Sequence, residues 1–560
     1  MLKDKPFFKT MPIFLCLSLA LVGLFHEYMS CIAAIFLLVY FLFLCHKNGE
    51  IKLRKNLTGL ALTVIPLFYL LSCLWAVDSS MAFIGFLKFL PLPLFWLVLN
   101  QREEGGEEML ICLPYSVAAL SLFAAIGMQI PPIVNFFSVA GRFAGTFQYP
   151  NTFALLILVS FLVLLTRGNY KTVDYITLPF LLLALLYTGS RTVLVLAALS
   201  SVAVLFVGKN RKIKIIVLCL FAAAAVLVGA VLLFAPDSTI ASRILSISFS
   251  ESTFVGRLLY FRDALPIILK HPFGLGYLGY YYIEQSIQTG VYSVRYIHND
   301  FLQILLDIGF LPFLALLAAI ISSFASKKKS LSQKLILLTF ILHTCFDFNL
   351  QYVSMFFVFI LLLDYLGGEE KKINIASQKV LTTVCILISL LLMYMGIALA
   401  CGRFGAINFA DKLYPNTQND TKILSSGEDI EFQNSVAEKI LERNEKYAHA
   451  YSIKSRYFYS KGNFKNLMEN KRKVISLEPF NTAEYSEYAY MLINGIKLYE
   501  KAGDEYSIKI CKQELLWIRD ELSKLPSRQS RLGKLIKDQP KTQLPEDIEK
   551  YIKQKVEGRV

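Results

Sequence analysis

The chain has 560 residues, of which 55% are hydrophobic and only 18% are charged, so its composition is far from that of an average soluble domain. Its formal net charge of +15 requires no nucleic-acid partner, because Lys and Arg concentrate in the segments between apolar runs, as in membrane-protein loops. The ten cysteines include no C-x-x-C pair, so neither a zinc site nor a redox centre is predicted.

Apolar runs of membrane-spanning length recur through the first 400 residues and predict an all-α fold. We expect a polytopic membrane helix bundle of about 12–13 spans over residues 1–400, with a large external loop and a C-terminal helical-repeat domain. The predicted spans are 11–25, 29–45, 57–74, 81–99, 109–128, 151–166, 173–188, 191–207, 213–234, 300–323, 331–348, 351–366 and 380–400.

The distribution of positive charge predicts the orientation of these spans. With the N-terminus in the cytoplasm, the cytoplasmic segments carry 21 Lys and Arg residues and the opposite side carries seven. This split predicts a multi-pass protein of the cytoplasmic (inner) membrane whose C-terminal region is extracytoplasmic. The external set is almost all Arg, a side chain whose planar fork suits phosphate and carboxylate: Arg142, Arg191, Arg243, Arg257, Arg262, Lys270 and Arg295.

The loop after the third predicted span is short and external, and it begins with Trp75-Ala76-Val77-Asp78. Trp75 fits an interfacial anchor and Asp78 fits a helix cap, with a catalytic role as the alternative. Lys88 lies within the fourth span, where a charge is either functional or extends to the outer interface.

Two short external segments each place an arginine beside a helix start. Arg142 precedes Pro150, where Asn151 or Thr152 is expected to cap the sixth span. Arg191 follows a turn so tight that it must lie at the membrane surface, either as an anchor or aimed into a cavity for an anionic headgroup.

The segment 235–299 is too long to be a mere connection. Phe254–Lys270 has the pattern of an amphipathic helix carrying Arg257 and Arg262, and the following His271-Pro272-Phe273-Gly274 cannot continue it. His298 precedes Asn299 and Asp300, either of which suits a helix cap.

A second histidine lies at the end of the eleventh predicted span. His343 and Asp347 are four residues apart, which predicts a shared helix face, either as a functional pair or as an interior pair that holds helices together.

After residue 401 the apolar spans stop. Residues 449–482 follow the 34-residue tetratricopeptide pattern, so a helical-repeat domain is predicted over 402–525, with a possible protein partner. The Lys- and Gln-rich tail 526–560 is predicted to be flexible.

The sequence has no nucleotide-binding loop and no external Asp-x-Asp pair for a metal diphosphate, so a reaction at the outer face needs a donor that is delivered already made. A lipid diphosphate fits, because arginines can neutralise its leaving group and a histidine can accept a proton from an attacking hydroxyl. The outer-face candidates for this chemistry are Arg142, Arg191, Arg257, Arg262, Arg295, His271 and His298.

Four motifs, in this order and topology, resemble the O-antigen ligase and polysaccharide polymerase family of bacterial envelopes, and the resemblance covers most of residues 57–366. The pair His343 and Asp347 also looks like a late family motif. The four motifs are Trp75-Ala76-Val77-Asp78, Arg142-x-x-Gly145-x-Phe147-x-x-Pro150-Asn151, Gly189-Ser190-Arg191-Thr192, and Gly256-Arg257 with His271-Pro272-x-Gly274-x-Gly276 and His298-Asn299-x-x-Leu302-x-x-x-x-x-x-Gly309.

The resemblance implies a polytopic inverting glycosyltransferase that uses an undecaprenyl-diphosphate glycan and needs no metal, nucleotide or other cofactor. It implies that Arg191 and Arg257 contact the diphosphate and that His298 serves the acceptor hydroxyl or the transition state. The acceptor, a glycan, lipid or protein, stays open, as does the choice between ligase and polymerase. Two other classes are a lipid-linked glycan flippase and a membrane-anchored repeat scaffold.

Overall fold

The computed structural model describes residues 10–102, 106–207, 211–237, 252–425 and 429–558. The 238–251 part of the predicted external loop, with Arg243, lies outside the described residues, as do four of the inner positive charges, Lys3, Lys5, Lys9 and Lys209. The chain divides into two compact units, each built from three stretches. The first comprises 1–71, 83–248 and 297–400, and the second comprises 72–82, 249–296 and 401–560.

Helices dominate the described chain and confirm the all-α prediction. In the first half they are α1 Thr10–Ala20, α2 Glu27–Asn48, α3 Leu57–Ser72, α4 Ser79–Phe89, α5 Pro91–Gln101, α6 Glu107–Gly127, α7 Val134–Phe137, α8 Pro150–Leu165, α9 Asp174–Thr188, α10 Arg191–Val207, α11 Arg211–Phe234, α12 Ser252–Lys270 and α13 Gly279–Ile287. In the second half they are α14 Asp300–Ile308, α15 Phe310–Ala325, α16 Leu331–Thr344, α17 Val353–Leu362, α18 Gln378–Arg403, α19 Ile407–Leu413, α20 Thr417–Leu424, α21 Ile430–Arg443, α22 Ala448–Ser460, α23 Phe464–Leu477, α24 Thr482–Ala502, α25 Glu505–Arg528 and α26 Glu546–Tyr551.

Several helices are long and apolar enough to cross a membrane. Five segments meet this standard by length and composition among the described residues: Glu27–Asn48, Ser79–Gln101, Glu107–Gly127, Arg211–Phe234 and Gln378–Arg403. The remaining predicted spans each contain a shorter apolar helix of 10–17 residues. The protein is therefore an integral membrane helix bundle, and the number of complete crossings stays a prediction.

The core of the first unit contains helices that are apolar on every side. All residues of α17 are buried, and nearly all of α8 are. A helix that is hydrophobic all round belongs inside a bundle rather than at its edge. Pro150 is the first residue of α8, where its missing N–H costs nothing. These two central helices carry the segments that flank the site described below.

Two predicted spans end or break earlier than their apolar runs do. The predicted span 300–323 is two helices, α14 and α15, that meet at Gly309 with φ 81° and ψ −167°, a conformation suited to glycine. The predicted span 331–348 ends as a helix at Thr344, followed by a short 3-10 turn at Asn349–Gln351. Hydropathy continues through both points, so only backbone geometry shows the breaks.

A small antiparallel sheet joins two segments that are far apart in sequence. Strand β1, Glu50–Lys55, pairs with β4, Glu369–Asn374, from Glu50 opposite Asn374 to Lys55 opposite Glu369. Arg54 also forms an ion pair with Glu370 at 2.6 Å. Both strands belong to segments predicted to be cytoplasmic, so their pairing agrees with one common side. A second, two-residue pairing joins β2, Ser138–Val139, with β3, Arg142–Phe143.

Lys88 in α4 is fully buried, so its side chain does not extend to a surface. Its ammonium lies 4.9 Å from the centre of the Phe25 ring, a cation–π contact. Its charge also acts on the buried carboxylates of Asp300 and Asp307. Asp307 in turn accepts hydrogen bonds from the Tyr69 hydroxyl and the Gln303 amide, both at 2.8 Å. These polar groups fix α14 inside the bundle.

The second unit contains α12, α13 and the C-terminal helices. The C-terminal helices are joined by tight turns, with Gly462 at φ 68° and Gly503 at φ 70°, and the side chains of Asn463 and Asp504 accept backbone N–H groups at the following helix starts. Their assignment to the tetratricopeptide class stays a prediction. The tail, for which composition predicts flexibility, places Leu544, Ile548 and Ile552 in the same hydrophobic core as α24 and α25.

Candidate functional site

His298 occupies a special position immediately before α14. Its φ is +56°, which is uncommon for any residue with a side chain, although His is among the types that tolerate it best. The next residue, Asn299, caps α14, because its side-chain oxygen accepts hydrogen bonds from the N–H groups of Phe301 and Leu302. The predicted cap is thus confirmed, and it holds the backbone that presents the imidazole.

Asp347 orients the His298 ring. The Nδ1 atom of His298 lies 3.2 Å from Oδ1 of Asp347, and the Phe348 ring stands edge-on to the imidazole with ring centres 5.0 Å apart. The Asp347 side chain is 1% exposed whereas that of His298 is 24% exposed. A carboxylate at Nδ1 favours the tautomer that carries a proton there, which leaves Nε2 able to accept one.

Three further groups hold Asp347 in place. The Tyr149 hydroxyl donates to Oδ1 at 2.8 Å, and the Asn151 amide donates to Oδ2 at 2.9 Å. The backbone N–H of Phe348 donates to Oδ1 at 3.0 Å. A buried carboxylate that accepts this many hydrogen bonds is held in one direction. Tyr149 and Asn151 therefore support His298 through Asp347.

Asn151 joins this pair to the arginine segments. Its Oδ1 atom accepts from Arg142 Nη2 at 2.7 Å and from the Ser190 hydroxyl at 3.1 Å. Arg142 Nε also donates to the carbonyl of Thr188 at 3.1 Å. Polar contacts thus run from the turn before Arg191 to His298. The expected capping of α8 by Asn151 or Thr152 is wrong, because no side chain caps this helix and both residues bond elsewhere.

Arg191 is the first residue of α10 and is partly exposed. The turn before it depends on Gly189, which ends α9 in the left-handed conformation at φ 58°. Ser190 is buried and bonds Asn151, as described above. The sequence segment Gly189-Ser190-Arg191 therefore fixes a backbone from which the guanidinium extends.

The predicted pairing of His343 with Asp347 on one helix face is wrong. The helix α16 ends at Thr344, so the four-residue spacing does not place Asp347 on it. His343 is buried and its Nδ1 atom lies 3.0 Å from the Asn349 amide, while the Thr152 hydroxyl donates to Asn349 Oδ1 at 3.0 Å. His343 thus contacts Asn349, whereas Asp347 contacts His298.

An apolar cavity of about 340 Å³ lies beside the Arg142 segment in the first unit. Phe143 and Tyr187, which adjoin Arg142 and Thr188 in the chain, line it together with residues of α6, α9 and α11. The remaining lining residues are Ser121, Ala125, Phe180, Leu183, Ala184, Leu186, Leu227, Val228 and Val231. This cavity suits an aliphatic chain, because its walls are almost entirely hydrocarbon.

The other predicted site residues lie in the second unit. Arg257 and Arg262 are on α12, which confirms the predicted amphipathic helix, and Arg262 Nη1 lies 3.4 Å from the Thr289 hydroxyl. Arg295 is exposed, with its guanidinium 5.8 Å from the Tyr296 ring centre. His271 follows the end of α12, and partial burial, then the charge of Lys270, lowers its pKa.

The Trp75-Ala76-Val77-Asp78 segment packs against the turn that follows α12. The N–H of Val77 donates to the carbonyl of Leu275 at 3.0 Å, and a Cβ on Gly276 would lie 2.4 Å from the Ala76 Cβ. Asp78 Oδ1 accepts from the N–H of Met81, which confirms the predicted cap of α4. This segment therefore connects the start of α4 with the turn after α12 within the second unit.

The sequence pattern does not mark Tyr149 as a site residue, and at Asn151 it predicts a helix cap. The available signal was the motif that contains both residues together with Arg142 and Pro150. Its polar residues cluster around the start of α8, whose later residues are nearly all apolar.

Part of the chain matches the model of a known protein family. Residues 176–317 match the family model described as O-antigen ligase, a stretch that contains Arg191, Arg257 and His298. No curated protein matches the chain. The match supports assignment of this part of the chain to the O-antigen ligase family, whose function at the level of the family is that of a membrane glycan ligase or polymerase.

Proposed function

We propose that the protein is an inverting, metal-independent glycosyltransferase that takes a glycan from an undecaprenyl-diphosphate carrier. It transfers or polymerises that glycan onto an acceptor at the outer face of the cytoplasmic membrane. The observation that carries this proposal is the contact between His298 and the buried Asp347, at the end of a polar chain that reaches Arg142 and the Arg191 turn.

His298 acts as the general base in this proposal. Its Nε2 atom accepts the proton of the acceptor hydroxyl while the hydroxyl oxygen forms a bond to the anomeric carbon of the donor glycan. The bond from that carbon to the diphosphate oxygen breaks on the opposite face, and the electron pair leaves with the lipid diphosphate. Asp347 stabilises the imidazolium that results, as a carboxylate does in other His–Asp pairs.

Arginines supply positive charge for the leaving group. Arg191 and Arg257 contact the diphosphate in this proposal, because a guanidinium fork can bind two phosphate oxygens at once. Preorganised positive charge is worth most in the transition state, when the bond to the diphosphate breaks. Other polar residues are proposed to bind the remainder of the substrates: Arg142, Arg262, Arg295 and His271.

The apolar cavity supports a lipid-linked donor. It is lined by Phe143 and Tyr187, whose neighbours in the chain belong to the polar chain of the site. A donor with an isoprenoid tail would bury hydrocarbon there while its charged head remained with the arginines. The C-terminal helices are proposed to face the extracytoplasmic side and to bind a protein partner or acceptor, as helical repeats do.

The test uses the purified full-length protein, a synthetic undecaprenyl-diphosphate glycan and an acceptor sugar. We expect the wild-type protein to release lipid diphosphate and to form a new glycosidic bond, with or without EDTA. His298→Gln retains hydrogen-bonding shape but cannot take up a proton at neutral pH, so turnover should fall by about 10²–10⁴.

Control measurements separate chemistry from folding. His449→Gln changes a histidine of the C-terminal helices and should retain turnover. Both variants should elute as the wild type does in size-exclusion chromatography. A His298→Gln protein with near-normal turnover would exclude His298 as the base, and a wild type that is inactive with every lipid-diphosphate donor would contradict the proposed function.

A further inference from the structure

The helix α12, which carries Arg257 and Arg262, is held along one face. Val255, Leu259 and Asp263 recur every four residues and are buried, whereas Arg262 is exposed and Arg257 is partly exposed. The buried face of a helix determines where its exposed side chains lie. Whatever packs against this face therefore sets the position of both arginines.

Residues 289–292 form the first support of this face. Asp263 accepts hydrogen bonds from the N–H and the hydroxyl of Thr289, both at 2.7 Å, and from the Tyr292 hydroxyl at 3.1 Å. Arg262 lies 3.4 Å from the same Thr289 hydroxyl. These contacts join α12 to a short segment that needs support of its own, because it belongs to neither a helix nor a strand.

The C-terminal tail supplies that support through residues 529–539, which we call the tail loop. The N–H of Ser530 donates to the carbonyl of Thr289 at 2.9 Å. Gly533 lies directly against this backbone, since a Cβ added there would be 2.0 Å from the Thr289 carbonyl oxygen and 3.0 Å from the Gly290 Cα. A Cβ on Gly290 would in turn lie 2.8 Å from the Gly533 Cα. Two backbones approach here at a distance that only glycine permits.

An apolar contact completes the attachment of the tail loop to α12. Ile536 is buried with Val255 and Leu259, and Leu532 and Tyr260 pack against this cluster. The tail loop is also closed on itself, because the Gln539 amide donates to the carbonyls of Ile536 at 2.7 Å and of Gly533 at 3.2 Å. It therefore presents Ile536 as a preformed surface.

The tail loop is anchored at both of its ends. It follows α25, and after it Leu544 and Ile548 enter the core of the C-terminal helices. Val291, next to the Gly290 contact, packs against that same core. A loop fixed at both ends can transmit position to α12, whereas a free tail would move with respect to it.

We propose that the tail loop is a positioning element of the transferase, which holds α12 and thereby places Arg257 for the donor diphosphate. This inference rests on the proposed function, because it assigns Arg257 to the diphosphate. The C-terminal region then has two proposed roles, which are partner binding and the positioning of α12. Ile536, Gly533 and Asp263 are the positioning residues, and none of them needs to touch substrate.

The test compares two neighbouring substitutions in the full-length protein. Ile536 is 8% exposed and contacts α12, whereas Leu535 is 61% exposed. We expect Ile536→Ala to lower kcat/KM for the donor by roughly 10- to 100-fold, since small displacements of a positioned group have effects of this size. The KM for the acceptor should remain unchanged. Leu535→Ala should behave as the wild type does.

Hydrogen exchange provides a readout that does not depend on turnover. In Ile536→Ala, amides of residues 252–270 should exchange faster than in the wild type, while those of α8 and α17 should not change. Gly533→Ala is a second variant with the same expectation, because its Cβ would collide with the Thr289 carbonyl, and Lys534→Ala is its exposed control.

The outcomes separate this inference from the proposed function. Equal donor kinetics in Ile536→Ala and Leu535→Ala would overturn the positioning role, as would lost turnover with unchanged exchange in 252–270. If the wild type has no activity on any lipid-diphosphate donor, the proposed function fails, and with it the role of Arg257. In that case the exchange comparison still decides whether the tail loop holds α12.

Discussion

At the scale of single residues, the site depends on one carboxylate, that of Asp347, which contacts several polar side chains at once. Asp347 is almost fully buried and is in contact with His298, Tyr149 and Asn151. Each contact alone is an ordinary hydrogen bond, and together they fix the direction in which the carboxylate faces His298. The proposed role of Asp347 thus follows from its hydrogen-bond partners and not from its four-residue spacing to His343.

Asp347→Asn tests this assignment. The amide keeps the shape of the carboxylate, but it no longer stabilises an imidazolium and can select the other tautomer of His298. We expect kcat to fall by about 10²–10⁴, with the size of the effect set by the lost charge. Asp364→Asn, in the same unit but outside the site, is the matched control. Turnover within a few-fold of the wild type would remove Asp347 from the mechanism.

At the scale of elements, the segment around α13 contains a glutamate, Glu284, whose burial disfavours the ionised form of its side chain. Glu284 is fully buried, and both of its carboxylate oxygens accept from the N–H of Val294, at 2.9 and 3.2 Å. Burial raises its pKa from the ordinary value of 4.5 to about 8, although the hydrogen bonds from Val294 and Ser293 act in the opposite direction. This acid connects α13 to the segment around Val294.

Glu284→Gln should remove a pH dependence of stability. The unfolded chain releases this proton near pH 4.5 and the folded chain near pH 8, so the folded state loses stability as the pH rises through that window. The amide has no proton to lose. We expect the variant to unfold at a higher temperature than the wild type above pH 8 and at a similar temperature near pH 4.5, measured by differential scanning fluorimetry.

The control for this experiment is Glu469→Gln, which changes an exposed glutamate on α23. It should leave the melting temperature at both pH values as in the wild type. A Glu284→Gln protein whose melting temperature tracks that of the wild type at every pH would show that the carboxyl is solvated rather than buried.

At the scale of the whole molecule, segments predicted to share a side of the membrane are in contact in the structure. The Arg142, Ser190, His298 and Asp347 segments were all predicted to be external, and they meet in one polar chain. The β1 and β4 segments were both predicted to be cytoplasmic, and they pair as strands. Contacts of this kind are possible only if each set of segments lies on one side.

Cysteine labelling tests the orientation itself. Lys501 and Lys371 are both exposed, the first on α24 and the second on β4. In a background without the native cysteines, Lys501→Cys should react with an impermeant thiol reagent in intact spheroplasts or protoplasts. Lys371→Cys should react only after lysis, because positive loops are retained in the cytoplasm. The reverse pattern would invert the topology.

The amino-acid sequence by itself determined the class of the protein and the positions of its apolar helices, and it predicted a set of candidate site residues. Composition and hydropathy suffice for this, because a bilayer imposes apolar runs, and motifs such as Gly189-Ser190-Arg191 mark the chain where a backbone must turn. The sequence also predicted the amphipathic α12 and the caps at Asp78 and Asn299, since these depend on neighbours within a few residues.

Only the tertiary structure decided which of these residues act together. Hydropathy continued past Thr344 while the helix did not, so the four-residue spacing gave Asp347 the wrong histidine. Asn151 bonds Asp347 across 196 positions of the chain, and Ser530 reaches Thr289 across a comparable distance. Local pattern carries no information on such pairs, because each depends on where whole helices pack. Residue types indicated which side chains could carry chemistry, whereas the contacts between those side chains follow from packing.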